Sequence, residues 1–262
     1  MFLFGLAACG RFGFDDRERI EDARLDMQLD TMIDAGVCGR TAVAPPTVHI
    51  RGTTFRYTSF DNERVPLSGA SIEASTTVNG PAIATASSAS DGAYDLAIDT
   101  DGAAPEISVR YSLGTDFVTH VVFDLPVDRD IMGANGDVLE LGDGPIWDLA
   151  AMDQVYSTAG FVRDPADTFI NIAVRDCANL PIAGATVAIT PAPDAVVYQA
   201  NDGRPAPGLT ETQTRFGQAF GVNAVGTSAT ITVTHPTRTF VPFTISIVPG
   251  TTNMLAVARA ID

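Results

Sequence analysis

From Val48 onward, short runs of alternating or β-branched residues are separated by Gly, Pro, Asp and Asn. In AYDLAI, for example, Tyr94, Leu96 and Ile98 share one face at a period of two, which is typical of a half-buried strand. The first half has TVHIRG, ASIEAS, AIATASS, AYDLAI, EISVRY and FVTHVVF, and the second has FINIAVRD, ATVAIT, AVVYQA, ATITVTH, FTISIV and MLAVAR. This spacing predicts an all-β chain of β-sandwiches rather than βαβ units.

Two stretches in these halves repeat one another. PLSGASIEAS begins at Pro66, and PIAGATVAIT begins at Pro181, 115 residues later. Each half also carries a later strand after a glycine turn, SDGAYDLAI in the first and RFGQAFGVN in the second. The dipeptide Asp91-Gly92 is a strong hairpin signal. The repeat predicts two tandem sandwiches.

These motifs resemble the carboxypeptidase regulatory-like domain. Its pattern is a first strand ending near Gly, a Pro-apolar-x-Gly-Ala-x-apolar strand, a Thr-rich strand and an Asp-Gly-x-aromatic turn, which fall here at Gly52, Pro66 to Ile72, Thr85 and Asp91 to Tyr94. The second copy resembles the pattern through VRDCANLPIAGATVAIT and departs later, where Gly217 lacks a preceding Asp. The resemblance implies two tandem transthyretin-like or Ig-like β-sandwiches without catalytic residues.

Between the copies lies DGPIWDLAAMDQVYSTAGF, whose apolar residues approximate helical spacing. A helix there would begin at Asp143 or Pro145 and end at Gly160. Trp147, the one Trp of the chain, is expected to pack in a core or between the sandwiches. A ligand platform is the alternative role for this ring.

We therefore expect five segments. They are a short apolar N-terminal segment over residues 1–8, a flexible acidic tether over 9–46, a first carboxypeptidase regulatory-like sandwich over 47–136, a linker with a helix over 137–166, and a second sandwich over 167–262.

The chain opens MFLFGLAACG, in which Leu6-Ala7-Ala8-Cys9 resembles the lipobox of bacterial lipoproteins. The resemblance implies that residues 1–8 are a lipoprotein signal peptide, complete or truncated, and that Cys9 carries an acyl anchor, which attaches the chain to a membrane. Only eight uncharged residues precede Cys9, whereas signal peptides usually have about 15–30 residues. The alternatives are an internal start or an incidental cysteine in a short apolar terminus. Gly10 stands where an inner-membrane retention signal would place Asp, which favours the outer membrane.

Composition excludes several functions. The net charge of −16 and the pI of about 4.3 disfavour nucleic acid as a partner. All sixteen basic residues are Arg. The absence of Lys excludes Schiff-base chemistry, a P-loop lysine and lysine isopeptide crosslinks.

The candidate catalytic and metal-binding residues are few. His49, His120 and His235 have no second His or Cys at metal-ligand spacing, and none lies near a nucleophile motif. We expect these histidines to be buried or at strand edges. The sequence therefore predicts no catalytic residue, no metal site and no cofactor.

Two cysteines remain once Cys9 is acylated. Cys38 ends the tether and Cys177 follows the first strand of the second sandwich. Outside the cytoplasm the two can form a disulfide that would fold the tether back along the body. The alternative is two unpaired thiols.

An insertion distinguishes the first copy from the second. Thirteen residues, TTFRYTSFDNERV, separate Gly52 from Pro66, whereas three separate Cys177 from Pro181. The insertion carries the residue types that are enriched at protein contacts, namely Phe55, Arg56, Tyr57 and Phe60. Alternatively, Phe55 and Tyr57, which are two residues apart, fold onto the sheet as one face.

These observations lead to a function hypothesis. We expect a non-enzymatic, lipid-anchored envelope protein that is surface-exposed or secreted, with a structural, adhesive or protein-binding role. Its partner would be another protein or a surface polymer. The alternative is a carbohydrate-binding or substrate-presenting module that serves a separate enzyme. A third hypothesis, a hydrolase, is not supported by any set of candidate catalytic residues in the sequence.

Overall fold

The computed structural model describes residues 44–57, 65–78, 80–102, 106–126, 136–177, 180–250 and 253–261. These residues form sixteen strands and one helix, so the all-β prediction is confirmed. The elements are β1 (Thr47–Tyr57), β2 (Val65–Pro66), β3 (Ser71–Ser75), β4 (Ala84–Ser87), β5 (Ala93–Asp99), β6 (Glu106–Ser112), β7 (His120–Pro126), β8 (Val138–Trp147), α1 (Leu149–Ala159), β9 (Thr168–Arg175), β10 (Thr186–Thr190), β11 (Ala195–Gln199), β12 (Pro205–Ala206), β13 (Gln218–Ala224), β14 (Ser228–Thr234), β15 (Phe243–Ser246) and β16 (Asn253–Arg259).

The two halves share one pairing pattern. In the first half, β1 pairs antiparallel with β5 and parallel with β8, and β6 pairs antiparallel with β3 and β7. In the second half, β9 pairs antiparallel with β13 and parallel with β16, and β14 pairs antiparallel with β10 and β15. The sequence repeat therefore corresponds to a repeat of topology.

The repeated motif is held by matching hydroxyl groups. In the first copy, the Ala70 amide donates to Ser88 Oγ at 2.9 Å, and that hydroxyl donates to the Leu67 carbonyl at 2.6 Å. In the second copy, Thr212 Oγ1 accepts from the Ala185 amide at 3.0 Å and donates onward to a carbonyl at 2.6 Å. Each hydroxyl thus satisfies two buried backbone groups beside the Gly-Ala pair.

One sheet extends through both halves. Its nine strands have the order β12-β11-β13-β9-β16-β7-β6-β3-β4, and the parallel pair of β16 with β7 joins the halves. In the first half, a four-stranded sheet of β1, β2, β5 and β8 packs against this large sheet. In the second half, a three-stranded sheet of β10, β14 and β15 packs against it. Both halves are therefore two-layered and share backbone hydrogen bonds.

The helix packs on the second half. Its N-cap is Asp148 and its C-cap is Gly160, so the expected end is correct and the expected start is a few residues early. Met152, Val155 and Tyr156 are buried against aromatic residues of the nine-stranded sheet. Within the described ranges, no helix is long and apolar enough to cross a bilayer.

The segment 137–166 differs from the expected linker. Its first part is the ten-residue strand β8, which extends the small sheet along β1, and only then does the helix begin. Gly144 and Pro145 obscured this strand in the sequence. Among the described strands β8 pairs only with β1, and Pro145 is tolerated at such an edge position. A side chain at Gly144 would not fit, because its Cβ would lie 2.6 Å from the Tyr111 ring.

Candidate functional site

Three of the four expected contact residues lie at the end of β1. Phe55, Arg56 and Tyr57 are its last residues and are half-buried, and Phe60 lies outside the described residues. Phe55 is in register with Pro66 on one neighbouring strand and with Pro145 on the other. The three contact candidates therefore lie on a strand that is paired on both sides, which restricts the positions of their side chains.

Tyr57 forms an aromatic pair with Trp147. The two residues are register partners in the parallel β1–β8 pair, and their rings stack with centroids 4.8 Å apart and planes at 19°. Trp147 also packs against the helix cluster, which is the buried apolar group that α1 forms with Phe169, Phe220 and neighbouring residues of the nine-stranded sheet. Each ring thus has one face covered by the other, while both residues keep part of their surface in solvent.

Arg56 connects this pair to the helix. Its Nη2 donates to Asp148 Oδ2 at 3.1 Å, and its guanidinium carbon lies 5.5 Å from the centroid of Phe117. Asp148 Oδ1 accepts from the Ala151 amide at 2.7 Å as the helix cap. We call Arg56, Tyr57, Phe117 and Trp147 the arginine–aromatic cluster.

Part of this cluster is predictable from the sequence. Arg56 and Tyr57 were recognised as contact residue types, and Trp147 was expected to pack. Phe117 and Asp148 were missed, although an Asp directly before a helical pattern is an N-cap signal. Phe117 had no signal, because its proximity to Arg56 arises only from the fold.

A second polar group lies on the outer face of the small sheet. Asp95 accepts hydrogen bonds from His49 Nδ1 and Arg51 Nε, each at 2.7 Å. Desolvation opposes ionisation of Asp95, but the bonds from His49 and Arg51 outweigh it and lower the pKa of this carboxyl. Hydrogen bonding to Asp95 raises the pKa of Arg51. This exposed group orders charged side chains on the sheet surface.

The other histidines have packing roles. His120 is buried, with its ring centroid 5.8 Å from that of Tyr111. His235 Nε2 lies 3.0 Å from the Ala183 carbonyl oxygen. In the described part of the chain, no three His, Cys, Asp or Glu side chains are arranged to hold a metal ion.

A shallow groove lies on the face of β3 and β6 that points away from the core of the first half. It opens to solvent and is lined by Glu73, Ser75, Val78, Ser108, Arg110 and Val121, among others. Glu73 and Arg110 are register partners on β3 and β6. The groove is polar and open, and it is too shallow to exclude water from a bound molecule.

The cysteine calls fall largely outside these ranges. Cys9 and Cys38 lie outside the described residues. Cys177 is disulfide-bonded, and its Sγ lies 3.6 Å from the carbonyl oxygen of Ala260. The pairing of Cys177 with Cys38 stays a prediction.

Comparison with known proteins gives only distant similarity. No protein-family model matches the chain, and no curated protein matches it. Among solved structures, the Bacillus anthracis TIE protein has a TM-score of 0.26 and 11% identity over 81% of this chain and 34% of that chain. The chain therefore spans about a third of that protein's length.

Two pilins are similar at the same level. The minor pilin GBS52 of Streptococcus agalactiae has a TM-score of 0.24 and 6% identity over 81% of this chain and 95% of that chain. The shaft pilin spaA of Lactobacillus rhamnosus GG has a TM-score of 0.24 and 10% identity over 82% of this chain and 98% of that chain. Similarity this distant carries no functional argument, so function is argued from the residues.

Proposed function

We propose that this chain is a non-enzymatic envelope protein, anchored through an acylated Cys9, with a structural or adhesive role that depends on binding another protein. The arginine–aromatic cluster is the observation that carries this proposal. Trp, Tyr and Arg are the residue types that dominate protein-binding energetics. Here they are half-buried and held by neighbours, so they would lose little side-chain entropy on binding.

The architecture supports a structural role. The β16–β7 pair joins the halves by backbone hydrogen bonds, which restrict hinge motion between them. A body of this kind holds a contact surface in the first half at a fixed position relative to the second half. We also propose that both halves are related to carboxypeptidase regulatory-like domains; the matching motifs around Ser88 and Thr212 support the likeness of the two halves to each other.

The charge restricts the partner. At a net charge of −16, the chain is repelled by nucleic acid and anionic lipid headgroups. The proposed contact surface contains Arg56, whose charge is directed to Asp148, beside the aromatic rings. We propose a protein partner with a neutral or basic surface, bound mainly through apolar contact.

The anchor is tested by mass and fractionation. The full chain is expressed in a Gram-negative host beside a Cys9→Ala variant, and the intact mass of the membrane-bound form is measured. We expect a diacylglyceryl-modified Cys9 at the N-terminus, with the variant lost from the membrane fraction. A soluble chain that retains Met1 would exclude the anchor.

The contact surface is tested by retention on washed envelopes of the native host. We expect the pair Tyr57→Ala and Phe60→Ala to reduce retention at least about tenfold, which is about 1.4 kcal/mol. The matched control is Phe216→Ala, because Arg215 lies over the Phe216 ring at 4.9 Å in a second arginine–aromatic pair. The contact surface is excluded if Phe216→Ala reduces retention as much as the double variant does. It is also excluded if the double variant loses stability but keeps its retention.

The same assay separates protein from polymer. Treating the envelopes with protease abolishes retention if the partner is a protein. Retention that survives protease and is reproduced on purified peptidoglycan sacculi identifies a carbohydrate-binding module instead. That result would overturn the protein-binding role and leave the anchor standing.

A further inference from the structure

The strands β3 and β10 begin with the same backbone pairing. Ser88 exchanges backbone hydrogen bonds of 2.9 and 3.0 Å with the Gly-Ala pair that precedes β3. Thr212 exchanges two bonds of 2.9 Å with the Gly-Ala pair that precedes β10. These bonds lie on the same edge of each strand, which is the edge that faces away from β6 in the first half and away from β14 in the second.

The two halves complete this edge differently. In the first half, β4 comes directly before Ser88 and pairs antiparallel with β3. In the second half, the strands between β10 and Thr212 are β11 and β12, and both belong to the nine-stranded sheet. Among the described strands, β10 pairs only with β14. The second half therefore leaves without a strand the edge to which the first half adds β4.

Tyr198 covers this edge of β10. Its hydroxyl accepts a hydrogen bond from the Val187 amide at 2.9 Å, and the residue is only 5% exposed. Val187 corresponds in the repeat to Ile72, which is in register with Ala86 of β4. The Tyr198 hydroxyl thus stands where the first half has a strand. The Val187 amide is satisfied by one side chain of β11 rather than by the backbone of a neighbouring strand.

The exposed face of β10 carries no charge. Thr186, Ala188 and Thr190 are exposed, while the two residues between them are buried in the second core. The first half differs here, because Glu73 stands at the position of Ala188 in the repeat. Charged side chains, Pro or a covering group normally protect a sheet edge, since an unpaired edge accepts a strand from another molecule. On β10 the covering group is Tyr198.

We infer that Tyr198 is an edge guard, which holds shut a latent pairing edge on β10, and that the strand this edge takes without the guard is β10 of a second copy. Two identical antiparallel strands form a self-complementary pair about a twofold axis. An axis at Ala188 places Val187 opposite Ile189 of the second copy. With no charge on Thr186–Thr190, two chains of net charge −16 meet there without like charges face to face. The inference involves neither the anchor nor the arginine–aromatic cluster.

Sedimentation velocity tests the pairing edge in the full chain carrying Cys9→Ala, which keeps an acyl group out of the measurement. Tyr198→Phe keeps the ring and removes the hydroxyl. We expect its weight-average mass to rise with concentration toward that of a dimer, while the chain with Tyr198 stays monomeric. The matched control is Tyr94→Phe, which removes a hydrogen-bonded hydroxyl from a buried tyrosine of the first half and is expected to stay monomeric.

Adding Ala188→Glu to Tyr198→Phe locates the contact. Glu is the residue that the first half has at this position, and its side chain lies on the exposed face of the strand. Two such carboxylates would face one another in the β10 pair, so we expect the double variant to be monomeric. The inference is overturned if Tyr198→Phe is monomeric or if its association survives Ala188→Glu. It is also overturned if the chain with Tyr198 already forms a dimer that Ala188→Glu separates.

Amide exchange measured by NMR tests the guard itself, with Ala188→Glu present in every protein so that no partner strand protects the edge. We expect Tyr198→Phe to accelerate exchange of the Val187 amide at least about tenfold, because its hydrogen bond is lost. Tyr94→Phe is expected to leave this amide unchanged. Equal Val187 exchange with and without the Tyr198 hydroxyl contradicts the guard.

Trp147 fluorescence monitors the folding of Tyr198→Phe. If this variant does not fold, the chain with Tyr198 decides the question. Its Val187 amide is expected to exchange as slowly as the amide of residue 188, which faces β14, because the Tyr198 hydroxyl replaces a strand. Exchange of the Val187 amide at the rate of an unprotected amide would overturn the inference.

Discussion

Val121 and Val122 are neighbours in β7, and their side chains are buried in two different hydrophobic cores. Val122 belongs to the core of the first half, and Val121 belongs to the core of the second. Successive residues of a strand point to opposite faces, so the two cores lie on opposite faces of the nine-stranded sheet. Val121 belongs to the second core because, where β7 pairs with β16, it is in register with Met254, a residue of that core.

Val121→Ala tests the shared sheet. Although Val121 is in a strand of the first half, its truncation is expected to destabilise the second half by about 1–2 kcal/mol, because methyl groups are lost from that core. The measurement is urea unfolding followed by Trp147 fluorescence, which reports on the helix cluster. Val65→Ala, at a position 47% exposed, is the control and is expected to stay within about 0.5 kcal/mol. An unshifted midpoint for Val121→Ala would contradict the coupling.

Two glycines of the repeat are expected to resist substitution. A Cβ at Gly92 would lie 2.4 Å from the Thr54 carbonyl oxygen, and one at Gly217 would lie 2.7 Å from the Val174 carbonyl oxygen. Both have positive φ. We expect Gly92→Ala and Gly217→Ala to cost at least about 2 kcal/mol each in the free energy of unfolding, from left-handed strain plus the clash.

Gly69→Ala is the matched control for these substitutions. Gly69 also has positive φ, but no atom lies within 4 Å of its Cβ position. It is expected to cost only the conformational strain of about 1–2 kcal/mol. Denaturant midpoints for the three variants decide the matter. Equal losses at all three positions would show that the close approach of the backbone adds nothing.

The buried tyrosines of the first core form a coupled pair. Tyr94 Oη and Tyr111 Oη lie 2.8 Å apart, and Tyr111 is 1% exposed. Tyr94→Phe removes a hydrogen-bond partner of the buried Tyr111 hydroxyl and is expected to cost about 1–3 kcal/mol. Replacing both residues with Phe is expected to cost less than the sum of the single changes. Strict additivity in this double-mutant cycle would contradict the coupling.

The same pair predicts sensitivity to alkaline pH. Burial raises the pKa of Tyr111, and its bond with Tyr94 opposes that shift only partly. A raised pKa in the folded state contributes stability that is present below the unfolded value of about 10 and is lost as pH rises above it. We expect the wild type to lose more stability between about pH 9 and 11 than Tyr111→Phe does. Parallel pH profiles would exclude this role for Tyr111.

Asp148 joins the arginine–aromatic cluster to the helix. Asp148→Ala is expected to reduce the free energy of unfolding by about 1–2 kcal/mol, because it removes the cap and the Arg56 contact together. Asp148→Asn keeps an oxygen for the cap and is expected to lose less. Asp153→Ala, which removes an exposed carboxylate that contacts Arg163, is the control and is expected to lose at most about 1 kcal/mol. Thermal unfolding of the three variants ranks them, and equal losses for Ala and Asn would exclude the capping role.

The strands were largely predictable because their signal is local. Alternation at a period of two placed Tyr94, Leu96 and Ile98 on one buried face, as the structure shows. The repeat of Pro66 and Pro181 predicted a shared topology, and Gly160 correctly marked the end of the helix. β8 was not predicted, because Gly142, Gly144 and Pro145 interrupt the alternation of apolar residues in it. The strand is stabilised by its pairing with β1, which the local sequence does not reveal.

In the strands whose residues alternate, the sequence by itself determined which residues point inward, since alternation and turn chemistry are properties of neighbouring residues. It did not determine which strand meets which across the halves. The pairing of β16 with β7, the placement of Val121 in the second core and the contact of Arg56 with Asp148 join residues that are far apart in the chain. Those choices depend on how whole faces pack against one another, which only the tertiary structure decides.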